Sequence, residues 1–461
     1  MSVGLTNGQG VRKYGVDATT GLSNKAIIDA IFKEFYLPGM RELLNNKRIL
    51  SRTIGQSSEG VEGRYAVMSL NTGRNHGIGH IAEGGKLPDP GRQQYNRATY
   101  STKYGYGRIL FTGPSMGSSR TDRGSFINVL DGEMRGLARD VQVDVNRILF
   151  GDGSGRLARI ASVAGAGATS VYTVDLPGGF TSNQGPGTQY LAPGMRVSFV
   201  NAAGASLAFR AAAVSGNHLA YKILAVDPAN STITIENPAS LGAAMEITAA
   251  AAGDYVVRAS EQTTTVTRDD TSFKNEPFGL AALVDDGNPF GGTAGETNYV
   301  GGIDATSNPW WQAYVIDNLG TPRPFTPDLL QQLQDGIDIS GDGVVELYMT
   351  THGIRRAYVN QMIQAKRFIN TMTFDGGFKA IEYEGRPIVV DKDCTRGRIY
   401  GLDTSVMKQL MEADWQWLDS DGSVLDRMPN HDAYQACLFR YWELGTDARN
   451  RQGVVLDILD V

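Results

Sequence analysis

The sequence predicts an α+β fold built around an extended hairpin, one long helix and an inserted, β-rich domain. Three observations predict it. Residues 63 to 112 read as two strands, Gly63 to Leu70 and Tyr95 to Thr112, around a loop holding Gly73, Gly77, Gly79, Gly84, Gly85 and Gly91. From about Ser125 to Phe150, apolar residues recur at steps of three and four, which is the helical period. Residues 156 to 268 turn alanine-rich, thinly charged and strand-like.

Taken in chain order, residues 1–54 form an arm and a short helix. Positions 1 to 22 are rich in Gly, Thr and Asn and read as extended. Ser23 is placed to cap a helix that Pro38–Gly39 stops. Ile27, Ile28, Ile31, Phe32 and Phe35 give that helix one adhesive face. The hairpin, residues 55–112, comes next. A two-stranded ribbon with little apolar surface is marginally stable alone, and its edges stay open to another chain. A ribbon of this length is expected to lean on a neighbour, which points to an assembly protein.

Residues 113–155 carry the long helix. Leu130, Met134, Leu137, Val141, Val145 and Ile148 share one face. Asp131 and Arg135 are spaced to pair on the wet side, and Gly151 supplies the stop. The helix spans about 39 Å at about 1.5 Å per residue. Gly132 and Gly136 cost helix stability, so another backbone is expected to cross there. In the insertion, residues 156–268, strands are expected at Val171–Leu176, Met195–Val200, Tyr221–Asp227, Ser231–Glu236 and Asp254–Ala259, forming a small barrel or sandwich. In residues 269–461, helices are expected after Thr326–Pro327, from Thr351 to about Lys366, and from Asp403 to Asp414. Strands alternate with them at Val344–Met349, Pro387–Val390 and Arg398–Leu402.

Composition narrows the function classes. A chain of 461 residues suggests two to four domains. Two cysteines, Cys394 and Cys437, fit neither a disulfide scaffold nor a zinc pattern. The first thirty residues lack a signal peptide's apolar core and no run of eighteen apolar residues occurs, so synthesis in a reducing cytoplasm and no membrane partner are expected. Residues 1 to 160 hold 22 Lys+Arg against 14 Asp+Glu, a net +8; the remainder holds 21 against 35, a net −14. Such polarity suits contact between the front of one copy and the back of the next. The acidic total disfavours sequence-specific DNA binding.

Catalytic and binding motifs do not hold up. Gly113-Pro114-Ser115-Met116-Gly117 has a nucleophile-elbow spacing, but a polar stretch separates it from the helix, and His218, His352 and His431 have no evident acidic orienter. Asp338-x-Ser340-x-Asp342-Gly343 starts like a calcium loop, yet Met349 stands where the bidentate Glu belongs. Asp419-Ser420-Asp421-Gly422 fails similarly at Met428. Gly151-Asp152-Gly153-Ser154-Gly155 follows a helix instead of preceding one, so it reads as a flexible joint, not a phosphate cradle. His76 and His80 read as solvated. Trp310, Trp311, Trp415, Trp417 and Trp442 fit core better than a stacking platform. No catalytic, cofactor or metal residue is expected.

The order of parts resembles the major capsid protein family of tailed bacteriophages. Phrases carry the likeness as well. Asn275-Glu276-Pro277-Phe278-Gly279-Leu280 and Asn308-Pro309-Trp310-Trp311 are similar to the start of that family's axial region. Glu384-Gly385-Arg386-Pro387-Ile388-Val389-Val390-Asp391 and Ile399-Tyr400-Gly401-Leu402-Asp403 resemble its later part. The resemblance implies the HK97-like capsid fold: an arm, an extended loop reaching over a neighbour, a spine helix in a peripheral domain, and an axial domain at the capsomer centre. Segment 156 to 268 departs from the minimal pattern and resembles the insertion domains some members carry.

What the resemblance implies is a non-enzymatic shell protein that assembles into hexamers and pentamers around double-stranded DNA, in a virion built in the host cytoplasm. The implied partners are other copies, a separate scaffolding protein, a portal and a decoration protein, with nonspecific contact to DNA. Candidate inter-subunit contacts are Arg64, Arg74, Lys86, Arg92, Arg97, Lys103 and Arg108 on the hairpin, and Asp131, Arg135 and Arg139 on the helix. Some members cross-link a hairpin lysine; Lys86 is the candidate by position, although an ordinary solvated lysine explains it as well. An encapsulin-type compartment shares the fold, with shorter shells that lack such an insertion. A carbohydrate-binding or hydrolytic β-rich protein is the alternative from another class.

Overall fold

The computed structural model describes residues 49–73, 75–112, 123–164, 169–180, 185–201, 208–209, 220–236, 250–259, 271–289, 299–364, 371–374, 378–419 and 424–460. The expected arm and Ser23–Pro38 helix lie outside them, as do Arg74 and Ser115. In chain order, α1 (Ile49–Thr53), β1 (Gly55–Ser57), β2 (Val61–Glu62), β3 (Tyr65–Gly73), β4 (Gln94–Ser101) and β5 (Lys103–Thr112) precede the long helix α2 (Arg123–Phe150). Next come β6 (Arg156–Ala164), β7 (Thr169–Asp175), β8 (Arg196–Asn201), β9 (Ala208–Phe209), β10 (Tyr221–Asp227), β11 (Thr232–Glu236) and β12 (Tyr255–Arg258). The last third holds α3 (Leu280–Leu283), β13 (Tyr314–Ile316), α4 (Pro327–Gly341), β14 (Leu347–Thr350), α5 (His352–Gln364), β15 (Thr371–Phe374), β16 (Phe378–Tyr383), β17 (Arg386–Val390) and β18 (Ile399–Leu402). It closes with β19 (Met407–Trp417), β20 (Asp426–Arg427), β21 (Ala433–Thr446) and β22 (Gly453–Val455). The fold is α+β.

The chain divides into two compact units. One holds 104–146 and 411–442 together with 1–53. Here α2 lays Met134, Leu137, Ala138, Val141 and Val145 on a sheet whose inner side carries Ile109, Phe111, Trp415, Trp417, Ala436 and Leu438. The expected apolar stripe is therefore the buried one, and over 28 residues the helix extends about 42 Å. The backbone approach expected at Gly132 and Gly136 is absent among the described residues: a Cβ at either would meet nothing within 4 Å. It occurs at Gly107 of β5 instead, where a Cβ would stand 3.0 Å from Leu137 Cδ1.

The other unit holds 54–103, 147–410 and 443–461. Within it, strands β6 to β12 form a closed antiparallel barrel. The ladder runs β10, β11, β7, β6, β12, β8, and β8 pairs back to β10 through Val197↔Tyr221. Leu157, Ile160, Tyr172, Phe199, Ile223, Ile233, Ile235 and Val256 fill its interior. A closed ladder leaves no edge for another chain. The joint at Gly151–Gly155, expected to be flexible, is tied by several contacts. Asp152 accepts from the Ser154 amide at 2.9 Å and pairs with the Arg156 guanidinium, and Gly155, at φ 73°, abuts the Ser272 carbonyl.

The same unit also holds a mixed sheet in the order β13, β22, β18, β14, β17, β16, β15. Helices α4 and α5 press Leu329, Leu330, Leu333, Ile337, Ile354 and Tyr358 into one core with it. Asp338–Gly341 is the last turn of α4, and Asp342 caps it with a left-handed φ of 49°. The helix expected from Asp403 to Asp414 is instead strand β19 after one 3₁₀ turn at Thr404–Val406. Met, Lys, Gln, Leu, Glu and Ala favour helix locally, but a ladder with β21 and a parallel pairing with β1, Gly55↔Lys408 to Ser57↔Leu410, override that preference.

The hairpin's second strand is also not continuous. It breaks at Thr102, whose amide and hydroxyl both donate to the Arg64 carbonyl, at 2.9 and 3.2 Å. Just past the break, Lys103 Nζ donates to the Lys274 carbonyl at 2.9 Å. Segment Lys274–Phe278 collects two more charged side chains. Arg147, in the last turn of α2, holds the Glu276 carboxylate in a two-pronged ion pair, and Glu443 of β21 accepts from the Phe278 amide at 2.6 Å. Nearby, Arg449 donates to the carbonyls of Ala282, Leu283, Asp285 and Gly287, closing the C-terminus of α3.

Glu443 is fully buried, and among the described residues its Oε2 has no hydrogen-bond partner. Burial pushes its pKa up to about 8, against the opposing pull of Lys103 and two backbone amides. Unfolded, the group ionises near the ordinary glutamate value; folded, it keeps its proton to about pH 8. Its contribution to stability is thus lost as pH rises through that window, by up to about 1.4 kcal/mol per unit. Thermal melts of Glu443→Gln against the parent from pH 5 to 8 are expected to diverge, the variant losing less. Parallel curves would contradict the buried neutral carboxyl. Glu276→Ala removes the carboxylate from a buried ion pair with Arg147 and is expected to destabilise by on the order of 3–5 kcal/mol, lowering the melting temperature in calorimetry by roughly 10 °C.

Candidate assembly surface

The hairpin's chemistry follows from its register. Tyr65↔Ser101 through Asn71↔Tyr95 puts Ala66, Met68, Leu70, Ala98 and Tyr100 on one face, and these are buried against their own chain. Tyr100 anchors that face: its phenol donates to the Thr446 carbonyl at 2.7 Å and accepts from the Thr446 amide at 3.2 Å. Ala98 packs at Gly301. The ribbon's base therefore leans on the subunit itself, an intramolecular anchor that the sequence did not announce.

The opposite face and the tip have no such cover. Tyr65, Val67 and Tyr95 are 55, 43 and 71% exposed, and Ile78, Ile81 and Leu87 are 67, 47 and 77% exposed. Six large apolar groups on one limb are thus left in contact with water. Strand β4 bonds β3 on one side, and its other side has no strand partner among the described residues. An open backbone row beside wet aromatics can accept another chain.

The first unit carries a second wet apolar surface. Alternation along β5 sends Tyr104, Tyr106 and Leu110 outward, away from α2. Tyr104 and Tyr106 meet Tyr441 edge-on, with ring centroids 4.9 and 6.3 Å apart. Beneath, Arg440 is buried over the Trp442 and Trp415 rings, 4.7 and 5.8 Å from their centroids. Burial lowers its pKa to about 10, opposed by Asp414 at 3.8 Å. It remains a cation at neutral pH and fixes the two indoles.

The proposed contact charges fall into different environments. Arg64, Arg92 and Arg97 are exposed on the hairpin. Lys86 is exposed at the tip and pairs with Asp89 at 3.2 Å, a solvated bond of small worth. Lys103 is turned inward and holds the hairpin root. Arg108 lies on the open sheet face and donates to Gln435. Arg135 and Arg139 sit on the wet side of α2, while the Asp131 side chain and Arg74 lie outside the described residues. Sequence reasoning missed Tyr100, Arg440, Glu443 and Arg449. The available signal was a run of aromatic and aliphatic residues, Leu438 to Leu444, interrupted by charges at positions that must alternate into the core.

His76 and His80 are exposed on the loop. Among the described residues, no group of three His, Cys, Asp or Glu side chains is placed to hold a metal ion. Trp311, Trp415, Trp417 and Trp442 are buried and Trp310 is half-buried, so four of the five indoles offer no platform to a sugar.

No family model and no curated protein matches the sequence. Solved structures do. The chain is similar to the capsid asymmetric unit of cyanophage A-1(L), at 12% identity and a TM-score of 0.45, over 95% of this chain and 98% of that one. It is similar to a chain of Mycobacterium phage Patience at 10% identity and a TM-score of 0.40, over 97% and 91%. A holo-SrpI encapsulin complex from Synechococcus elongatus matches 31% of this chain and 52% of that one, with 12% identity and a TM-score of 0.25.

Proposed function

We propose that the protein is a major capsid protein, the subunit of hexameric and pentameric capsomers in an icosahedral phage head that encloses double-stranded DNA. One observation carries the reading: the hairpin is locked on its inner face to its own subunit, yet holds six large apolar groups and an unpaired strand edge in water. A limb so anchored and so bare is built to lie on another copy. Its target is a different surface from itself, so the contact is heterologous, and a heterologous contact generates a ring where its rotation closes.

The role is mechanical. The hairpin ties neighbours, the long helix with its sheet carries load, and the axial sheet closes the capsomer. A separate scaffolding protein, a portal and a decoration protein are the expected partners. A net charge of −6 suits only weak, sequence-independent contact with the packaged DNA.

Negative-stain electron microscopy with light scattering, at low and high salt, is the direct test. The parent is expected to give six-fold rings or closed shells. The triple variant Ile78→Ser, Ile81→Ser, Leu87→Ser is expected to keep its melting temperature and to need about ten-fold or more protein to assemble. A monodisperse monomer under every condition, even with neighbouring gene products added, would sink the capsid reading.

A further inference from the structure

Two helices of the axial part carry charges of opposite sign, and on each helix two of them sit at the wrong end. The charged side chains of α4 are all carboxylates: Asp328, Asp335 and Asp338, with Asp342 at the cap. The formal charges on α5 are Arg355 and Arg356 only, and the sequence continues with Lys366 and Arg367. A helix's C-terminus is its negative end and its N-terminus its positive end. Asp338 and Asp342 stand at the negative end of α4, and Arg355 and Arg356 in the opening turns of α5 stand at its positive end. Both placements work against the isolated subunit.

Nothing within the described subunit offsets them with an ion pair. Asp328 and Asp335 accept only from the neutral amides of Gln332 and Gln331, at 2.7 and 2.8 Å. Arg451, the cation bonded to the end of α4, gives its Nε to the Gly341 carbonyl and lies 3.7 Å from Asp403. No ion pair among the described residues includes the four aspartates or the two arginines. Each helix also leaves an isoleucine in water, Ile339 at 85% and Ile363 at 61% exposed. An acidic face and a basic face, each with an apolar residue beside it, form complementary halves of one contact.

We infer that the acidic face of α4 docks on the basic face of α5 in the next copy around the capsomer ring. The partner is a second copy of this chain, and the inference rests on the capsid reading. Each wrong-ended charge then meets its counter-ion across the interface, so placements that work against the monomer favour the ring. The interface weakens as salt rises, because its pairs lie at an accessible rim.

Charge exchange tests it. Asp335→Arg/Asp338→Arg and Arg355→Glu/Arg356→Glu are each expected to raise the concentration needed for ring formation about ten-fold or more. An equimolar mixture of the two restores assembly, since the reversed α4 of one variant faces the reversed α5 of the other. It does so only in rings with an even number of subunits, seen as hexamers without pentamers. Should either reversal misfold, the exposed neutral changes Asp338→Asn and Arg356→Gln repeat the measurement, with an expected rise of about three-fold or more. Folded variants that assemble like the parent, or a mixture that fails to rescue, would overturn the docking while leaving the capsid reading intact. A parent that forms neither rings nor shells overturns the capsid reading itself.

Discussion

The second unit depends on a five-residue segment, Lys274–Phe278, and the charged side chains that hold it. Lys103 reaches it from the root of the hairpin, Arg147 from the last turn of the long helix, and Glu443 from the strand returning near the C-terminus. These residues are far apart in sequence and meet on one short segment that opens with a turn, Lys274 standing at a left-handed φ of 59°. Two of the three bonds are made to backbone atoms, so they tolerate side-chain change in the segment but not its displacement. The third, Arg147 with Glu276, is a buried ion pair, which adds little net stability beside an apolar pair and penalises every arrangement that separates it. Specificity of position is the gain.

That arrangement also explains how a marginal ribbon can be stiff. Tyr100 fastens its inner face to Thr446, Thr102 turns both its donors onto Arg64, and Lys103 closes the root. Three anchors within four residues sit at the base and none is needed at the tip, so apolar side chains can be held in water without collapsing onto their own subunit.

Much of this was legible in the sequence, for a physical reason in each case. Tyr221–Asp227 and Thr232–Glu236 were readable because period-two patterning and turn residues agree locally. Met134, Leu137, Val141 and Val145 were readable as a buried stripe because the helix packs against one sheet. Asp403–Asp414 was misread because its composition favours helix and only pairing with distant β21 and β1 makes it a strand. Gly132 and Gly136 misled because a glycine records close approach only when something approaches, and here Gly107 does. On the hairpin, Arg64, Arg92 and Arg97 are exposed, as its polar composition suggests. Lys103 was not distinguishable from them, since its inward turn is set by residues 171 positions away. The apolar tip was overlooked among glycines, where Ile78, Ile81 and Leu87 make no periodic pattern.

The barrel has a consequence for how such a chain can change over generations. Its first and last strands are neighbours, with Arg156 opposite Val257, and at its mouth the Ser272 hydroxyl donates to the Gly155 carbonyl at 3.0 Å. To the host fold, everything between those residues is a loop whose ends already touch, so its length adds little closure entropy. A lineage could therefore acquire, exchange or shed the whole module in a single recombination event, without rebuilding the architecture around it.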